Sequence, residues 1–187
     1  MGEQNAGLTV VYHAEAQVRL LAAADAARYR DIRLEGLKQI PEAFGSTFTH
    51  ESEKPPSWFA ERIKLGNVFG AFVEDDLRGV AGFWQQEGPK VSHKATLWGM
   101  YVRPSARNSG LGRRLVEAVI AHASGRVEQL LLTVVSDNEA AHRLYRTMGF
   151  TEYGRELRAL KQDERYYDEI LMVRFLGSGW RLSQNSM

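Results

Sequence analysis

The chain has 187 residues with 24 Lys and Arg against 23 Asp and Glu, so its formal charge of +1 makes no case for nucleic acid, a membrane surface or an acidic partner. It contains no cysteine, which excludes disulfides, a cysteine nucleophile and thiolate metal sites and fits a reducing, cytoplasmic interior; no metal site is expected. Its length suits one domain with a sizeable core, no apolar run approaches the roughly 20 residues that span a bilayer, and the N-terminus lacks a secretory pattern.

Residues 1–16 are weakly patterned and read as an N-terminal extension, with 8–12 either a short extra strand or part of an arm. Residues 18–21 read as the first strand. Asp25 is placed as an N-cap or first-turn acid, and a helix follows over 26–39 with Tyr29, Ile32, Leu34 and Leu37 as its apolar positions. Pro41 stops it, and the Gly, Ser, Thr and Pro content of 42–56 predicts a loop. A short helix is predicted over 57–65. Strands over 68–73 and 79–85 flank the turn Glu74-Asp75-Asp76, and a third spans 94–102.

Pro104 ends that strand, because proline donates no ladder hydrogen bond. Arg107-Asn108-Ser109-Gly110-Leu111-Gly112 then turns into a helix whose Leu111, Leu115, Ala118, Val119 and His122 form one stripe. The turn has the physics of an anion site. A helix start presents unpaired N–H groups and a partial positive charge, and glycines at 110 and 112 let a phosphate approach the backbone. Arg107, Arg113 and Arg114 add charge. The continuous apolar run over 129–135 predicts a central buried strand. Residues 138–148 follow as a helix with Ala140, Leu144 and Met148 stacked at four-residue spacing. Gly149 ends it, and 150–160 with 166–176 form a last hairpin. Residues 177–187 read as a tail carrying Trp180.

Two segments then carry a resemblance. Met100-Tyr101-Val102-x-Pro104 with Arg107-x-x-Gly110-x-Gly112 is similar to the central motif of the GNAT superfamily of acetyl-CoA-dependent N-acetyltransferases. Asn138-x-x-Ala141-x-x-Leu144-Tyr145-x-x-x-Gly149-Phe150 is an independent match, and residues 166–172 resemble the family's last strands. The resemblance covers roughly 18–176, so 17–176 is the expected domain. It implies a single α/β domain: a mixed, largely antiparallel sheet of six to seven strands, with helices on both faces and a splay between the two central strands.

The resemblance also implies roles. Acetyl-CoA is the co-substrate, and the turn at Arg107, Asn108, Ser109, Gly110, Leu111, Gly112 and Arg113 cradles its pyrophosphate. Backbone N–H groups of the strand ending Met100-Tyr101-Val102 bind the thioester carbonyl and its developing oxyanion. Asn138 contacts the cofactor arm, or caps its helix, or does both. Tyr145 is the general acid for the departing thiolate. The acceptor is an amine, its site roofed by the first helices, with Glu35, Phe44, Phe48 and Trp58 as candidate lining; family members are often dimers, so a homodimer stays open.

The base is unassigned. An amine with a pKa near 10 must lose a proton before attack, yet the central strands carry Thr96, Trp98 and Thr133 and no acid. Glu35, Glu87 and His142 are the candidates. The expected reaction is direct acetyl transfer to a small-molecule amine, with a protein N-terminus or lysine as the alternative acceptor. A non-catalytic acyl-CoA sensor is the rival of another class. A dinucleotide fingerprint fails because Leu115 stands where the third glycine belongs, and a phosphate-loop NTPase fails because no Gly-Lys-Ser/Thr follows.

Overall fold

The computed structural model describes residues 16–177. The expectations for 1–15, including the strand or arm at 8–12, and for the tail with Trp180 lie outside the described residues. The elements run β1 (Gln17–Leu20), α1 (Ala26–Gln39), α2 (Phe48–Ser52), α3 (Pro56–Gly66), β2 (Val68–Val73), β3 (Asp76–Gln85), β4 (Lys94–Val102), α4 (Leu111–Ala123), β5 (Gln129–Val135), α5 (Glu139–Thr147), β6 (Thr151–Gln162) and β7 (Arg165–Phe175). The seven strands form one sheet in the order β1-β2-β3-β4-β5-β7-β6. Every pairing is antiparallel except β4 with β5.

Helices cover both faces, as an α/β chain with alternating strand faces requires. On one side α4 buries Leu111, Leu115, Val116, Val119 and Ala123 against Phe69, Ala71, Phe83, Leu130 and Leu132. On the other, α1 and α3 bury Tyr29, Ile32, Leu37, Phe59 and Ile63 against Val68, Phe72, Leu77 and Tyr101. The two sets of strand residues interleave in sequence because successive side chains point to opposite faces.

Two local expectations are corrected. Within the predicted loop at 42–56 the chain forms the one-turn helix α2, capped by Thr47, whose hydroxyl oxygen accepts from the His50 N–H at 3.2 Å. A helix this short has little intrinsic stability. It is held by Glu51, which pairs with Arg33 of α1 at 2.7 Å. Asp25 stands at the α1 N-cap position but makes no cap there. Its carboxylate turns back to accept from the Ala22 N–H at 2.8 Å and from Arg19 at 2.7 and 2.9 Å.

β4 and β5 set up the site. They pair only at Lys94–Gln129, Ala95–Leu130 and Thr96–Leu131. Beyond that 97–102 and 132–135 pair with β3 and β7 but not with each other, and the sheet opens between them. β4 also carries a bulge, since the register with β3 slips between Val80–Tyr101 and Gly82–Trp98. Gly99 sits in it at φ +62°, a left-handed conformation that glycine adopts without Cβ strain. The extra residue exchanges the faces of the strand. Ala95 and Leu97 point to the α4 core before it, whereas Met100 and Val102 do so after it, and Tyr101 turns to the α1 side.

Candidate active site

The opening between β4 and β5 is the floor of a cleft of about 1020 Å³. Its walls come from β4 (96–102), the start of α4, β5 (133–135), α5 and β7, and its far end reaches Arg33, Phe44 and Arg62. Among the described residues, the β5-facing edge of 97–102 has no ladder partner, so its backbone donors face the cleft.

At one end stands the α4 N-terminus. Gly110 is its N-cap residue at φ +84°, no side chain caps it, and a Cβ built at Gly110 would meet nothing within 4 Å. The helix therefore offers bare N–H groups to open space. Arg107, Asn108, Gly110, Gly112 and Arg113 all line this end. Arg107 is fixed by donating from Nε to the Val102 carbonyl at 3.1 Å. Arg113 pairs with Glu117 at 2.8 Å on the exposed side of the helix. Ser109 donates its hydroxyl to the Ala106 carbonyl at 2.7 Å, and the Leu111 side chain is buried in the core. Neither of these two side chains lines the cleft, and nor does Arg114. The donor set of neutral amides and arginines fits a diphosphate.

In the middle of the cleft, Met100, Val102, Asn138, Ala141, Leu144 and Tyr145 come together. Asn138 does cap α5, its side-chain oxygen accepting from the Ala141 N–H at 3.1 Å, which leaves its amide N–H groups without a partner among the described residues. Within α5, Tyr145 is 6% exposed, while Leu144 is half-buried, and both line the cleft. The Tyr145 hydroxyl donates to Met100 Sδ at 3.4 Å, and burial pushes the phenol far above its ordinary range, so it keeps its proton.

None of the three base candidates named from sequence lines the cleft. Glu35 accepts from the Tyr101 hydroxyl at 3.0 Å and from Arg103 Nε at 2.9 Å. That contact and burial push the Tyr101 hydroxyl up to about 12, burial being the larger cause. Glu87 is exposed, and His142 Nε2 lies 2.8 Å from Glu152. The acids that do line the cleft are Glu42, Asp137 and Glu169. Asp137 pairs with Arg165 at 3.1 Å. Glu169, on β7 beside Val135, accepts from Thr133 Oγ1 at 3.0 Å. Burial pushes its carboxyl up, and the Glu156 charge adds to this against the Thr133 hydrogen bond. The signal for it lay in the two-residue period of a strand, since Tyr167 and Glu169 share a face and both line the cleft.

Of the four residues expected to contact the acceptor, Phe44 lines the cleft. Phe48 is 40% exposed near Lys38, and Trp58 packs on Phe59 and on the Arg62 guanidinium at 4.7 Å. Glu35 is held as above.

A sheet opened between two parallel strands, with an uncapped helix start at the opening, is the architecture of an acyl-CoA-dependent acyltransferase fold. Residues 35–150 match the model of the acetyltransferase (GNAT) family, more than half of the chain, and the chain belongs to that family. An acetyltransferase of the GNAT family from Streptococcus pneumoniae superposes with a TM-score of 0.77 at 23% identity, over 87% of this chain and 100% of that one. The yncA structure from Salmonella typhimurium, solved with its cofactor acetyl-CoA, superposes with a TM-score of 0.74 at 20% identity, over 91% and 99%. Among curated sequences, a mycothiol acetyltransferase of Kocuria rhizophila is 35% identical over 102 residues, 52% of this chain and 32% of that protein. The chain spans about a third or less of the length of the curated relatives it matches. Among the described residues, no helix is long and apolar enough to cross a membrane.

Proposed function

We propose that this protein transfers an acetyl group from acetyl-CoA to an amine by direct attack within a ternary complex, the acceptor being a small molecule. The observation that carries the reading is the convergence, on one cleft, of the uncapped α4 start, the unpaired edge of β4 and the Tyr145 hydroxyl. Acetyl-CoA supplies an activated thioester. The residues around the turn, Arg107 to Arg113, hold the diphosphate, and Asn138 meets the arm with its free amide. Backbone N–H groups of Met100 and Val102 steady the negative charge that builds on the thioester oxygen.

Glu169, directly or through one water, takes the proton from the ammonium, and a carboxylate with a raised pKa is the better acceptor for it. The amine nitrogen then forms the new C–N bond as the C–S bond breaks, and its second proton passes to water. The thiolate takes a proton from Tyr145, and water returns that second proton to the Tyr145 oxygen, so the proton taken by Glu169 is the one released overall. With no cysteine in the chain, no thiol is present to form an acyl-enzyme, which favours direct transfer.

The test is to mix the protein with acetyl-CoA and a panel of amines and peptides and follow free thiol. Thiol release that depends on a small amine supports the reading. Release with peptides alone moves the acceptor to a protein N-terminus or lysine. Tight CoA binding with no release across the panel moves the function to an acyl-CoA sensor.

A further inference from the structure

The end of the cleft formed by α1 and α3 contains three buried donors without a hydrogen-bond partner among the described residues: Arg33 Nη1, Arg62 Nε and the Trp98 indole Nε1. All three residues line the cleft. Buried polar atoms without partners are rare in folded proteins, because each has lost its water and gained nothing in return. Three on one cleft wall are a feature to be explained.

Arg33 is 5% exposed. Its Nε and Nη2 edge is committed to Glu51, at 2.9 and 2.7 Å, and the Phe44 ring lies 4.7 Å over the guanidinium. Only Nη1 is left. Its position relative to the reaction centre is given by Gly99, where an added Cβ would lie 3.6 Å from it. Nη1 therefore sits at the β4 bulge, next to Met100 in sequence. Arg62 lies between two indoles, with its guanidinium carbon 4.7 Å from the centres of both the Trp58 and Trp98 rings. It makes no ion pair with an acid among the described residues. Arg33 is neutralised by Glu51, whereas Arg62 brings a positive charge with no ion pair to this end of the cleft, where Glu42 is the other acid on the wall. Arg62 itself is half-buried, with its Nε shut off from water near the Tyr29 hydroxyl, and an arginine stacked on aromatics in this way is set to bind an anion.

We infer that the acceptor amine carries a carboxylate, which docks against Arg33 Nη1, Arg62 and the Trp98 indole while its amino group points to Glu169 and the opening of β4. This rests on the acetyl-transfer reading above and names its substrate class, an amino acid. A single leftover positive charge matches a carboxylate, with its one negative charge, rather than a phosphate dianion. Guanidinium N–H and indole N–H groups are donors only, so a group with several acceptor lone pairs satisfies them together.

The experiment uses matched sets of acceptors: an amino acid, its carboxamide and the corresponding decarboxylated amine, with the amine placed α, β or γ to the carboxyl. With acetyl-CoA, kcat/KM for the acid in the best set should exceed the amide and the bare amine by about 100-fold, since a site built for hydrogen bonds rejects ligands that lack them. Arg62→Gln should erase that preference mainly through KM, and Arg62→Lys should restore part of it. Equal use of amide or bare amine overturns carboxylate recognition and leaves acetyl transfer standing. A second readout does not need turnover: thermal stabilisation of the wild-type protein by the N-acetylated acid compared with the N-acetylated amide. Stabilisation by the acid alone, lost in Arg62→Gln, supports the carboxylate site even if no acceptor releases thiol, in which case the transfer reading is what fails. Equal stabilisation by both, or by neither, overturns the proposal.

Discussion

The hydroxyl of Tyr145 on α5 donates to Met100 Sδ on β4 at 3.4 Å, across 45 positions of sequence. A thioether is a weak acceptor, so the phenol is held in place without being committed. A thiolate arriving in the cleft would offer the same proton a far stronger acceptor, at the cost of only a weak bond. Burial keeps that proton on the oxygen until then.

Replacing Tyr145 with Phe removes the proton donor and little else, because the ring stays packed 5.9 Å from Phe150. We expect kcat to fall by about 10²–10⁴, the usual range for general acid catalysis. The dissociation constant of acetyl-CoA, measured by calorimetry, should stay within about twofold of wild type. Full turnover in this variant would remove Tyr145 as the acid.

Glu169 must be ionised to accept a proton. Its raised folded-state pKa means that kcat/KM falls as pH drops through a value above the ordinary 4.5, once the acceptor's own ionisation is divided out. Glu169→Gln should abolish that acidic limb and slow turnover by about 10²–10⁴. The sign for stability runs the other way. A carboxyl whose folded pKa is raised stabilises the fold when protonated, and that contribution is lost as pH rises through the folded value. At pH 7 the Gln variant should therefore melt no lower than wild type. An unchanged limb in the variant assigns it to another group.

Gly110→Asp places a negative charge at the start of α4, where the helix dipole and the bare N–H groups now stand alone. Aspartate tolerates the left-handed backbone better than most residues and has open space around it, so folding should survive. Affinity for CoA should fall by at least about tenfold, or 1.4 kcal/mol. CoA binding at wild-type strength would move the diphosphate away from this turn.

Glu51→Gln tests the ion pair beneath the acceptor end. Side-chain exposure is 6% for Arg33 and 1% for Glu51, and removing one partner of such a pair costs about 3–5 kcal/mol. Burial alone would raise the Glu51 carboxyl, but the Arg33 hydrogen bonds and charge outweigh it and bring the carboxyl below its ordinary 4.5. A depressed pKa stabilises the fold above the unfolded value, and that stability is lost as pH falls through the folded one. The difference in melting temperature between variant and wild type should be full near pH 7 and shrink below pH 4.5. A constant difference across that range would assign the loss to packing.

Much of the fold was legible because it is written in short spacings. The stripe of α4, the apolar run of β5, the glycine turn and the Asn138 cap each depend on residues within a few positions of one another, where helix and strand periodicity or a single hydrogen bond decides the outcome. α2 was missed for the opposite reason, since its single turn is held by Arg33, 18 positions away from Glu51. Arg33 itself sits at a core position of α1, one turn from Tyr29 and Leu37, where an apolar period passes over a charge.

The sequence by itself determined the element order apart from α2, both motif segments and the turn at Gly110, all local matters of backbone freedom and side-chain period. Tertiary structure alone decided which face Met100 and Tyr101 take, through the one-residue bulge at Gly99. It also decided that Glu169 meets Thr133 from 36 positions away, and that Arg33, Arg62 and Trp98 gather with donors to spare. The physical reason is that register and charge pairing belong to contacts between strands and helices distant in the chain, and no spacing within one element encodes them.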